Sequence, residues 1–168
     1  MKISMYQASV PAFIRALNNL AVILEKGAAH AVAKKIDPAV LINSRLYPDM
    51  LPLARQVQIA ADTAKSGTAR LAGTEAPKYP DNEASFPELI ARIRNTVTYL
   101  ESFKPEQLDG GEEKTVSWQT PSSTKSMQGL PYLLSHALPN VHFHVTTAYN
   151  ILRHCGVELG KRDFLGPF

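Results

Sequence analysis

Cysteine is almost absent from this chain: among 168 residues only Cys155 carries a thiol. One thiol cannot close an intramolecular disulfide and is too few for a zinc ribbon or a redox pair, so a reducing, cytoplasmic setting is expected. There is no apolar run of membrane-spanning length, and the start MKISMYQASVPAF lacks the unbroken apolar stretch of a secretory signal. Charge is close to balanced, with 18 Lys and Arg against 15 Asp and Glu and a formal net charge of +3. The basic residues are scattered, without a run of four or interleaved aromatics, so neither nucleic acid nor membrane is an expected partner. No Gly-rich phosphate loop, nucleophile elbow or HExxH motif occurs.

What remains is helical periodicity. Apolar residues make up 45% and charged residues 20%, an ordinary globular balance, and the length suits one domain over residues 1–168. Tyr6, Val10, Phe13, Leu17, Leu20 and Leu24 alternate steps of four and three, which keeps one face of a first helix turned inward until Gly27 weakens it. Residues 28–47 are mixed, with Asp37 placed to cap a short helix opening on Pro38. A second helix is expected from near Asp49 to Gly73 on Met50, Leu53, Val57, Ala60, Ala64 and Leu71, its alanines implying close approach to a neighbour.

The segment TEAPKYPDNEA, with its two prolines, reads as a loop. Ser85 and Glu88 then form a capping-box pattern ahead of a third helix on Phe86, Ile90, Ile93, Val97 and Leu100, stopped by Lys104 and Pro105. Residues 109–129 lose the helical period; Thr115 to Trp118 can pair near Ser126 to Gln128 as a small hairpin. The last helix is expected from Pro131 to Gly156 on Leu134, Ala137, Val141, His144, Ala148, Ile151 and Cys155. Pro139 within it should bend or restart it. Phe164, Leu165 and Phe168 would tie the tail down. Four amphipathic stripes with a long loop or hairpin between the third and fourth define an all-α, up-and-down four-helix bundle.

His144 falls on the inward stripe between Val141 and Ala148, where an unpaired imidazole would be costly, so it needs partners. Asn140 and His136 lie one and two turns earlier along the same edge. Gln56 sits beside the second helix's seam, able to face His144 across the interior. Asp62 points away from that seam, with Lys65 as its nearest cation, and suits a surface or interhelical ion pair. His136 and His142 read as solvated, and His142 lies about 200° from His144 around a helix, too far to share an ion. Trp118 and Tyr132 either lid a pocket or plug an end. Cys155, His30 and His154 suggest no chemistry.

The block PNVHFHVTTAYNILRHCGVELGKRDFLG, with LYPDMLPLARQVQIAADTAK upstream, resembles the DUF1993 family, which is similar to the DinB/YfiT-like four-helix bundles. Many DinB-like proteins hold a divalent metal on three histidines, one on the second helix and an HxxxH pair on the last, a set distance before an LRxxG ending. Counted back from Leu152, Arg153 and Gly156, the resemblance puts the pair on Asn140 and His144 and the second-helix ligand on Gln56. Two of three imidazoles are replaced by neutral amides, weak donors to zinc or nickel. The expectation is therefore a homodimeric bundle that binds a small polar ligand at Gln56, Asn140, His144 and His136. No cofactor is expected; His144 is the one ligand available to a divalent Zn or Ni ion. The alternatives are a metal-dependent hydrolase or thiol transferase, with His136, His142 or Asp62 as replacement ligands, and a purely structural or partner-binding bundle.

Overall fold

The protein is described by a computed structural model covering residues 3–120 and 122–167. Helix α1 (Met5–Lys34) opens on Ser4. The Ser4 hydroxyl accepts the Gln7 N–H at 3.3 Å while the Gln7 side-chain oxygen accepts the Ser4 N–H at 3.3 Å. The helix runs straight through Gly27, contrary to the expected weakening. Gly27 is buried, and a Cβ there would meet Phe86 Cε1 at 3.1 Å and Leu152 at 3.2 Å. Its bare backbone lets two neighbouring helices close in, and that packing outweighs its poor helix propensity.

Asp37 caps the short α2 (Pro38–Ile42) by accepting the Ala39 N–H at 2.9 Å. Helix α3 (Leu53–Ala72) begins after Pro52, later than the sequence suggested. The Pro52 ring disfavours a helical Leu51, so residues 47–50 turn separately and Leu53 N–H returns to Ser44 O at 2.9 Å. Gly73 ends α3 in the left-handed region at φ 71°.

Helix α4 (Phe86–Glu101) starts at Ser85 as anticipated. The Glu88 carboxylate accepts from Ala84 N–H and the Ser85 hydroxyl, both at 2.8 Å, and the Ser85 hydroxyl accepts the Glu88 N–H at 3.4 Å. A short α5 (Pro105–Leu108) leads to the hairpin of β1 (Thr115–Gln119) and β2 (Thr124–Gln128). These strands are antiparallel, with Val116 opposite Met127 and Trp118 opposite Lys125, as the sequence indicated.

The last long element is broken in the manner Pro139 requires. It comprises α6 (Gly129–Tyr132), a π-helical turn at Leu133–Ala137, α7 (Leu138–His154) and, beyond a connection, α8 (Lys161–Leu165). Proline has no N–H to return to Ser135 O, and the wide turn, closed by Leu138 N–H to Leu133 O, carries the chain past the loss. One extra residue per turn shifts the phase of everything before it. Leu134, expected on the inner stripe, is consequently 51% exposed. Cys155, also assigned to that stripe, is half-buried where α7 ends.

Helix α1 packs against α4 and α7, and α3 against the same two. Phe13, Leu17, Leu53, Val57, Ile93 and Val141 are fully buried between them. Burying each large apolar side chain contributes about 1.5–3 kcal/mol. Arg15 donates to Leu165 O at 2.8 Å and Asn19 to Phe164 O at 2.9 Å, which docks the tail on α1. Phe168 lies outside the described residues. Among the described residues, no helix is long and apolar enough to cross a membrane.

Candidate functional site

Gln56 lies in the second turn of α3, where its own N–H returns to Pro52 O at 3.1 Å. It is 2% exposed and engaged at both ends: Nε2 donates to Leu51 O at 2.9 Å, and Oε1 lies 2.7 Å from His144 Nδ1 on α7. A carbonyl can only accept, so the group facing Leu51 must be the NH2 and the group facing His144 must be the amide oxygen. The oxygen in turn needs a donor. His144 therefore carries its proton on Nδ1, leaving the Nε2 lone pair unprotonated.

That nitrogen has no hydrogen-bond partner among the described residues. Burial holds the His144 pKa below the usual 6.5, because the half-buried ring is poorly placed to carry charge. His144 shares an open groove of about 480 Å³ with Ser135, His136, Pro139, Asn140 and Phe143. Phe143 stands edge-on to the imidazole, centroids 5.2 Å apart at 88°. Asn140, half-buried one turn earlier, has no side-chain hydrogen bond to any described residue. The structure thus brings His144 to Gln56 and sets Asn140 and His136 beside it.

His136 is not simply solvated. Its ring stacks on Trp118 at 4.8 Å and Tyr132 at 5.3 Å, and Trp118 and Tyr132 pack on each other at 5.1 Å. Arg70 donates to the Tyr132 hydroxyl at 3.0 Å. Burial, and then the Arg70 charge, lower the His136 pKa. The hairpin thus brings Trp118 to the groove's end, a placement no local spacing reveals.

The other candidates lie elsewhere. Asp62 is 2.8 Å from Lys65 Nζ and 2.8 Å from Arg92 Nη2 on α4, an interhelical ion pair as expected. Arg92 also binds Asp81 at 2.9 Å, Glu83 at 2.8 Å and Pro80 O at 3.0 Å, and Lys65 Nζ sits 3.8 Å over the Tyr79 ring. Arg92 carries no signal of this in the sequence: nothing in its local pattern separates a buried arginine from a solvated one. His142 is exposed and lines a separate crevice with Ala12, Asn19 and Phe164. His30 lines a depression with Lys26, Lys34 and Glu158.

The donor set does not fit a tightly held transition ion. The Gln56 oxygen already accepts from His144, Asn140 offers only a neutral amide, and Asp62 and His142 are committed or placed away from the groove. Among the described residues, no three His, Cys, Asp or Glu side chains gather where they could hold a metal.

The chain is mostly helical, with one two-stranded hairpin. The family described as "Domain of unknown function (DUF1993)" matches residues 5–165, and the chain belongs to it. It is similar to the crystal structure of a DinB family member protein from Shewanella denitrificans, with 46% identity over 97% of this chain and 92% of that one and a TM-score of 0.89. No curated protein matches the chain.

Proposed function

We propose that this protein is an up-and-down four-helix bundle that binds a small polar molecule in the groove formed by Asn140, His144 and His136, without a tightly held metal. Gln56 serves that site from behind, as a positioning residue. The observation that carries the reading is the hydrogen-bonded chain from Leu51 O through the Gln56 amide to His144, which fixes one ring nitrogen and leaves the other free at the groove. Because Nε2 opens onto the groove, a ligand can take the place of water there without disturbing the Gln56 hydrogen bond.

The bundle assignment is supported by each of the four long helices packing against two others. The same reading includes a homodimer. Leu134, 51% exposed, is an outward apolar side chain that a second copy could cover. Light scattering on the purified chain should return twice the 18.4 kDa monomer mass, and a monomer would remove the dimer from the proposal.

The binding test is a fragment screen by NMR on the wild-type protein and on His144→Ala. Hits should shift the resonances of Asn140 and Phe143, and the variant should lose them while its melting temperature changes by only a few degrees. A screen with no groove hits would count against binding. Metal analysis of protein purified without a polyhistidine tag should find well under one zinc or nickel per chain. One ion per chain would instead favour the metal-enzyme reading of the superfamily.

A further inference from the structure

We infer that the groove selects neutral, planar molecules that donate a hydrogen bond from a ring N–H or O–H to His144 Nε2. This rests on the binding reading above and adds the chemical class of the ligand.

Leu51 O orients the Gln56 amide, and the amide oxygen, 2.7 Å from Nδ1, forces the proton onto that nitrogen. At neutral pH the face His144 presents is consequently a pure acceptor, and rotating the ring to offer a donor would strand the Gln56 oxygen in a 2% exposed position. A ligand that offers another acceptor at Nε2 meets lone pair against lone pair. One that offers an N–H or O–H completes the chain.

Charge is excluded on separate grounds. Ser135, His136, Pro139, Asn140, Phe143 and His144 line the groove, and none is a carboxylate or an alkyl cation. Arg70, which donates to the Tyr132 hydroxyl, adds positive charge beside His136. A cation finds no carboxylate among these residues, and a carboxylate or phosphate ligand would set its acceptor oxygens against the Nε2 lone pair. Planarity follows from the lining: the Phe143 ring and the His136 imidazole, itself stacked on Trp118, are flat rings against which a planar molecule can lie. The unpartnered Asn140 amide can donate to a carbonyl on the same molecule.

The test uses 2-pyridone, a neutral planar lactam with one N–H and one C=O, against 1-methyl-2-pyridone, which lacks only the donor. Both are titrated into the uniformly 15N-labelled chain, with backbone amides and histidine ring nitrogens followed together. The expectation is that 2-pyridone binds at least about tenfold more tightly, the ratio that one net hydrogen bond of about 1.4 kcal/mol gives. It should also move the His144 Nε2 resonance in the direction of an accepted hydrogen bond. In Asn140→Ala, which leaves the His144–Gln56 pair in place, 2-pyridone should bind more weakly while still moving that resonance. Equal binding of the two pyridones in the groove would overturn the donor selection and leave the binding reading standing. If neither perturbs Asn140, Phe143 or His144 up to the solubility limit, the inference and the binding reading fall together.

Discussion

At His144 a single amide decides what the imidazole can do. Because the Gln56 NH2 is held by Leu51 O, its oxygen fixes the ring's tautomer. Gln56→Glu would replace a neutral acceptor with a carboxylate that cannot donate to Leu51 O but pairs strongly with an imidazolium. The His144 pKa, held below 6.5 by burial, should then rise above it, as followed by NMR titration of the ring. An unchanged value would mean that the amide does not control the ring. The same depression has a stability consequence. With its pKa lower folded than unfolded, His144 is protonated first in the unfolded chain, so its contribution to stability is full above about pH 6.5 and falls as the pH drops toward the folded value. His136, lowered in the same direction, adds to that slope. Urea midpoints should therefore decrease between pH 7.5 and 5.5, and less so in His144→Phe. A midpoint independent of pH in this window would show that the two rings titrate alike in both states.

Secondary-structure elements obey local sequence until a tertiary contact outweighs it, and α1 and α7 mark the two limits. At Gly27 the backbone propensity says stop, but Phe86 and Leu152 press so close, at 3.1 and 3.2 Å from where a Cβ would stand, that even a methyl group would push on them, and the helix continues to Lys34. Gly27→Ala would gain up to about 1 kcal/mol of helix propensity. It would lose about 1–3 kcal/mol to overpacking against Phe86 and Leu152. A net loss of roughly 1 kcal/mol in chemical denaturation is expected, and a gain would show that those two side chains move aside freely. The stripes of α1, α3, α4 and α7, the hairpin and the His144–Gln56 pairing were legible because each depends on spacing within one or two segments. The π-helical turn was not, because Pro139 announces only a missing hydrogen bond and leaves open whether the chain kinks, breaks or widens. Leu134 was misassigned for that reason, and the stacking of His136 on Trp118 depends on how a distant hairpin folds back.

Across the whole molecule, α3 is the shared wall between two polar systems of opposite character. Gln56 turns toward α7 and the groove, whereas Arg55, Gln58, Asp62 and Lys65 turn toward α4 and the loop that follows α3. Arg92 ties that second system together. It binds Asp62 on α3 and Asp81, Glu83 and Pro80 O in the loop, while Arg55 reinforces Asp81 at 2.6 Å and Gln58 donates to Glu83 at 2.8 Å. The Arg55 hydrogen bond leads the causes that lower the Asp81 carboxyl below the ordinary range, and the Arg92 hydrogen bond is chief among those that lower Glu83.

Removing the arginine leaves three acids facing one another with Lys65 and Arg55 as their remaining cations. Losing one member of a buried ion pair typically costs 3–5 kcal/mol. Asp62 and Asp81 retain 38% and 40% side-chain exposure and can rehydrate, which lowers the expected loss for Arg92→Ala to about 2–3 kcal/mol. The loss should be local in its first effect: residues 74–84 become susceptible to limited proteolysis before the rest of the chain. The His144 tautomer signal should persist, because the Leu51–Gln56–His144 chain shares no partner with the network and distant sites act additively. If the His144 resonance changes together with loop cleavage, the two flanks of α3 are coupled through the helix itself, and α3 transmits strain across the core rather than separating the two systems.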